Sequence, residues 1–97
     1  MANWYTEEVR TLFSAILTLR NEEECRAFFE DVCTVKELRE ISQRLQVAQL
    51  LREGCSYAVI NAKTGVSTAT ISRVSRCLNY GSGGYRMVLD KLKGKKS

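Results

Sequence analysis

The chain has no proline, and its six glycines stand only at positions 54, 65, 81, 83, 84 and 94. Proline breaks a helix from within, by removing an amide donor and clashing with the preceding turn. Its absence leaves glycine as the punctuation. The glycines and a few capping residues divide the sequence into runs whose apolar positions recur at helical spacing. No alternating strand pattern and no internal repeat interrupts them. The expectation is an all-α chain of six helices.

The first run carries Trp4, Val9, Leu12, Phe13, Ile16, Leu17 and Leu19, with Thr6, Glu7 and Glu8 as its start. Asn21 followed by Glu22, Glu23 and Glu24 predicts a second, short helix with Phe28, Phe29 and Val32 inward. Those glutamates serve capping and the helix dipole rather than acid–base chemistry. Thr34-Val35-Lys36-Glu37 repeats the capping signature and opens a long helix. Its inner face is Leu38, Ile41, Leu45, Ala48 and Leu51, and Gly54 stops it. Ser56 caps Tyr57 to Thr64, Gly65-Val66-Ser67 turns the chain, and Thr68 to Asn79 follows with Ile71, Val74 and Leu78 inward. The glycine-rich stretch from Gly81 to Gly84 reads as a flexible link to a last helix, Tyr85 to Lys93, presenting Val88, Leu89 and Leu92. It lacks the preceding strand and the lysine ending of a phosphate loop. Tyr57, Tyr80 and Tyr85 read as packing residues.

Ninety-seven residues provide for one domain and a limited core, which favours dimerisation from the outset. Helices between about 4 and 53 would make the dimer, about 56–79 a reading head, and about 85–93 a docking helix. The apolar density of the first run and of Thr34 to Leu51 suits surfaces shared between two chains. The chain has no histidine, and its cysteines (Cys25, Cys33, Cys55 and Cys77) are never two residues apart. Metal ligation and nucleophile–base catalysis both need tighter clusters, so neither a metal, a cofactor nor an enzymatic activity is expected. No secretory leader or membrane span is visible, and a reduced, cytoplasmic setting is expected.

Charge is unevenly spread. Residues 1–53 hold seven Lys/Arg and ten Asp/Glu, a net of −3, whereas residues 54–97 hold eight Lys/Arg and only Asp90, a net of +7. The second half therefore favours polyanions. It also contains the pattern of a helix-turn-helix, from Tyr57 to Leu78. Gly65 sits where the turn needs positive φ. Ile60, Val66, Ile71 and Val74 fall where two helices must interlock. The second helix opens with small polar residues able to enter a major groove: Ser67, Thr68, Ala69, Thr70 and Ser72, with Arg73 and Arg76 for phosphate or guanine. Asn61 and Thr64 depart from the usual pattern, each occupying a position that more often carries a small or apolar side chain.

Ser67-Thr68-Ala69-Thr70-Ile71-Ser72-Arg73 resembles the start of the reading head in the Trp repressor superfamily, whose Ala-Thr-Ile-Thr-Arg is in register with Ala69 to Arg73. Ser56 to Gly65 matches that family's preceding helix in length, and Leu50-Leu51-Arg52 is similar to its Leu-Leu-Arg. The branch most similar is YerC/YecD. The resemblance implies an intertwined homodimer reading a pseudo-palindromic operator as a bacterial transcription regulator, a repressor in the family's manner. It implies DNA-facing roles for Ala69, Thr70 and Arg73, with Ser67, Thr68 and Ser72 beside them. Asn61 stands where the family has a phosphate-binding lysine.

In the same family an indole effector lies between two arginines, against a glycine that follows the second. Arg73 matches the second arginine. Arg44 matches the first after a shift of one residue, Gln43 being in exact register. Val74 replaces the glycine, and overpacking of that kind costs about 1–3 kcal/mol. The candidate effector pocket is thus Arg44, Arg73 and Val74, with tryptophan not expected and any other effector unknown. Two alternatives remain open: a helix-turn-helix adaptor for protein partners, and non-specific nucleic-acid binding through the basic C-terminal residues.

Overall fold

The structure, a computed structural model, describes residues 3–95, with the Lys95 side chain left out. Six helices and no strand occur among them: α1 (Glu7–Ile16), α2 (Glu22–Val32), α3 (Val35–Arg52), α4 (Tyr57–Thr64), α5 (Thr68–Tyr80) and α6 (Gly84–Lys95). The chain divides into two units, Met1–Leu38 and Arg39–Ser97.

In the first unit the helix starts are built as their sequences require. Thr6 accepts from the Val9 amide at 3.3 Å, and Asn21 from the Glu24 amide at 2.9 Å. The Glu24 carboxylate reaches back to the Arg20 amide at 3.0 Å. Thr34 and Glu37 form a reciprocal capping box: the Glu37 amide donates to Thr34 Oγ1 at 3.0 Å, and the Thr34 amide to Glu37 Oε1 at 2.9 Å. The Thr34 backbone amide, and then its hydroxyl, hold the Glu37 carboxyl below its ordinary pKa. Yet no residue of α1 or α2 is buried. Phe28 and Phe29 meet edge to face at 5.3 Å and are half-buried. Val32, expected inward, is 51% exposed, because nothing in its unit covers that side of α2.

The second unit holds the core. Val47 and Ala48 from α3, Ile60 from α4, Val66 from the turn, Ile71, Val74 and Leu78 from α5, and Leu89 from α6 are buried together. Full burial of an aliphatic side chain of this size stabilises by about 1.5–3 kcal/mol, so these few residues carry the unit. Leu45, Leu50, Leu51, Tyr85 and Leu92 pack around them. Three α3 expectations shift. Val47 is fully buried although the apolar spacing did not single it out, while Leu38 and Ile41 are exposed. The core meets the C-terminal part of α3, where it covers Ala48 from the expected stripe and also Val47, about 100° around the helix from it. On α6, Leu89 faces the core and Val88, its neighbour, is exposed.

The stretch from Gly81 to Gly84 is a tight reversal rather than a slack link. A Cβ on Gly81 would collide with the Cys77 carbonyl oxygen, so only glycine lets the chain leave α5 so closely. None of the four cysteines forms a disulfide. No helix among the described residues is long and apolar enough to cross a membrane.

Candidate nucleic-acid interface

The helix-turn-helix is assembled from α4, the turn and α5, which pack directly on each other. Ser56 caps α4 by accepting from the Val59 amide at 3.2 Å. Gly65 ends it in the left-handed region, at φ 74°, with its amide on the Asn61 carbonyl at 2.8 Å. That φ costs a residue with a Cβ about 1–2 kcal/mol and glycine far less.

Asn61 and Thr64 explain themselves here. Thr64 Oγ1 donates to the Ile60 carbonyl at 2.7 Å and accepts from the Val66 amide at 3.1 Å. Asn61 Nδ2 donates to the Val66 carbonyl at 2.8 Å. Val66 is buried, so both of its backbone polar groups need partners. Two side chains from α4 supply them, and an apolar residue at either position would leave an orphan. The Asn61 side chain is therefore tied to the turn through one of its amide N–H groups.

Ser67 caps α5, accepting from the Thr70 amide at 3.3 Å while its hydroxyl donates to Thr70 Oγ1 at 3.2 Å. Ser67 and Thr70 thus shape the helix start as well as standing at it, and Thr70 is half-buried. Thr68, Ala69, Ser72, Arg73 and Arg76 are exposed. Helical geometry places Ala69, Ser72, Arg73 and Arg76 on one face, about 180° from the buried Ile71, Val74 and Leu78. Small side chains lead and arginines follow, which lets the helix tip approach a groove before the guanidinium groups reach out.

Arg73 and Arg76 have no protein partner among the described residues. Asp90, the only side-chain carboxylate after Glu53, is paired with Arg52 at 2.8 Å. The first turn of α5 carries no acid of its own, and the nearby carboxylate of Glu40 on α3, which lines a depression with Ser67 and Thr70, is not paired with either arginine. Unpaired cations on a helix attract anions, and the positive end of the helix dipole adds to this.

One residue on this face was assigned elsewhere. Tyr80 is 87% exposed and lies three turns after Ala69 on the same side, so it does not pack. Tyr57 is also exposed, whereas Tyr85 does pack against the core. The spacing of eleven residues from Ala69 to Tyr80 is the signal that would have placed it.

The three candidate effector residues have different surroundings. Half-buried Arg44 lines a depression of about 260 Å³ with Gln43, Ser67 and Thr70, and a larger one of about 580 Å³ with Leu45, Cys77 and Tyr85. Arg73 and Val74 line neither. Val74 is 1% exposed and belongs to the core.

The sequence pattern of the Trp repressor protein family matches residues 7–93. The chain belongs to the Trp repressor family. It is 54% identical over 87 residues to the uncharacterized protein YerC of Bacillus subtilis (strain 168), covering 90% of this chain and 84% of that protein. The crystal structure of a TrpR-like protein from Eubacterium eligens ATCC 27750 superposes with a TM-score of 0.88 at 53% identity, over 92% of each chain. That of a Staphylococcus aureus protein gives the same TM-score at 50% identity, over 93% of this chain and 90% of that one. The six-helix Trp repressor fold, with its helix-turn-helix, is thus the fold of this chain.

Proposed function

We propose that this Trp repressor family member is a cytoplasmic transcription regulator, a repressor, that binds a pseudo-palindromic operator as a homodimer. The observation that carries the reading is the exposed stripe of Ala69, Ser72, Arg73 and Arg76, opposite the buried face of α5 and free of acidic partners. Thr68 flanks this stripe, and the Ser67–Thr70 cap sets the end that enters the groove. A two-fold dimer would present two such helices about one helical turn of DNA apart.

The homodimer has its own support. Trp4, Leu17 and Val35 are 61%, 84% and 75% exposed, and the first unit offers them no core. A second copy of the same surface is the cover the family's fold provides.

The regulator works without tryptophan. Val74 stands where the family's effector meets a glycine, and its methyl groups are packed into the core between α4 and α5. Calorimetry with tryptophan is expected to give no binding heat. Tight binding that depends on Arg44 and Arg73 would overturn this point.

Selection from random duplex DNA tests the main reading, run without ligand at about 0.15 M salt to suppress non-specific binding. A pseudo-palindrome should be enriched. Arg73→Ala should weaken its binding by about 1–3 kcal/mol, and Thr70→Ala should lose preference at one position of each half-site. A blank selection, repeated with amino acids and indole compounds and blank again, would favour a protein-adaptor role instead.

A further inference from the structure

The two ends of α5 are held by different means. At the N-terminal end the helix caps itself through Ser67. At the C-terminal end it has no basic residue in its last turn, so the partial negative charge of its final carbonyls has no local counterpart. The next helix supplies the cation. Arg86 Nε donates to the Leu78 carbonyl at 2.8 Å in a partly buried bond, and Nη2 reaches Asn79 Oδ1 at 3.4 Å. Asn79 Nδ2 in turn donates to the Ser75 carbonyl at 2.9 Å. From α3, Arg52 Nη1 lies 2.8 Å from Asp90 Oδ1 and donates to the Arg86 carbonyl at 3.4 Å. One guanidinium ties α5 to α6, and the other ties α6 to α3. The tight turn at Gly81 brings these groups within reach.

We propose that Arg86 is a positioning residue for DNA reading: it braces the C-terminal end of α5 onto α6, which Arg52 anchors to α3, and so fixes the angle at which α5 enters the groove with no ligand bound. This rests on the DNA-reading function proposed above. The lever is long. Ala69 lies about 14 Å along the axis from Leu78. A tilt of about 10° there displaces the reading tip by about 2 Å, more than a hydrogen bond to a base edge tolerates. Arg86 therefore contributes to the basic charge of residues 54–97 without being one of the groups that touch DNA.

The test uses the full chain and the selected operator, with Arg86→Met, which keeps an apolar stem, and Arg86→Lys, which keeps the charge. Operator affinity of Arg86→Met should fall at least about tenfold, the scale of a charged hydrogen bond. Its affinity for random duplex should stay within about twofold, and its salt slope should not change. Amide exchange should speed up at Tyr80 and Gly81 while protection at Ile71 and Val74 persists. Arg86→Lys should recover only part of the loss, because an ammonium lacks the forked geometry. Equal losses on operator and random DNA, with a salt slope reduced by about 0.9 and full rescue by lysine, would make Arg86 a phosphate contact and overturn the proposal. Unchanged operator affinity would overturn it as well. If Arg86→Met loses protection at Ile71 and Val74, the lysine variant decides by the same criteria. A wild-type chain that selects no sequence sinks the DNA reading itself, whereas a selective wild type with an indifferent Arg86→Met sinks only the brace.

Discussion

Residues 39–97 contain every buried side chain of the described structure, and residues 3–38 contain none. Both regions are helical, both are well capped, and both carry large apolar side chains. They differ in what those side chains meet. In the second unit α3, α4, α5 and α6 converge on Val47, Ile60, Ile71 and Val74. In the first, no side chain of α1 or α2 is buried. Capping and periodicity make helices; a core needs elements converging from several directions. The helix-turn-helix is therefore organised within one chain, while α1 and its flanks leave large apolar side chains exposed.

The largest expected effect lies in the core. Ile71→Ala should cost about 2–5 kcal/mol and abolish cooperative melting of the second unit, read by thermal denaturation. Leu17→Ala should leave a monomer's stability unchanged, so equal losses from both would break the contrast between the units.

Next comes the shared surface. Leu17→Asp with Val35→Asp should weaken self-association at least about 30-fold, as buried interface residues do. Sedimentation equilibrium would read this, with amide protection at Ile71 and Val74 retained. Trp4 is the chain's only tryptophan, so its emission should shift to the red as the wild type is diluted into monomers. A wild type that is monomeric at all concentrations would remove the dimer.

Smaller effects sharpen the picture of the turn. Asn61→Ala and Thr64→Val each leave a backbone group of Val66 unpaired and should each cost about 1–3 kcal/mol in chemical denaturation. Because they share Val66, the double variant should cost less than the sum. Strict additivity would mean that the two bonds act independently.

The smallest effect belongs to Glu37. Its pKa in the folded chain is lowered, so the capping box stabilises α3 fully above the ordinary glutamate value. That contribution is lost as pH falls through the lowered value. Glu37→Gln should flatten this part of the acid limb, measured by helical circular dichroism, without altering the limb of the second unit.

Much of this was legible beforehand. Thr6, Asn21, Thr34 and Ser56 each begin a helix as read, because a cap is local chemistry between residues three apart, and Ser67, read as part of the turn, caps α5 in the same way. The turn at Gly65 and the inward Ile71, Val74 and Leu78 followed from spacing alone. Asn61 and Thr64 looked anomalous because their partner, the backbone of Val66, has no sequence signature. Val32, Val88 and Tyr80 were misplaced for a different reason. An apolar side chain at helical spacing shows that a face exists, not whether anything covers it.

Local chemistry along the chain dictates the helices, most of their caps, the position of the turn and the run of small polar and arginine residues that opens α5. Each depends on neighbours within about one helical turn, where geometry is fixed by the backbone. Packing settled that Val47 is central, that Arg73 and Arg76 have no ion-pair partner among the described residues, that Asp90 is taken by Arg52, and that Arg86 closes the far end of α5. Those outcomes bring together groups distant in sequence or compare one side chain's surroundings with another's, and the relative placement of packed helices settles them.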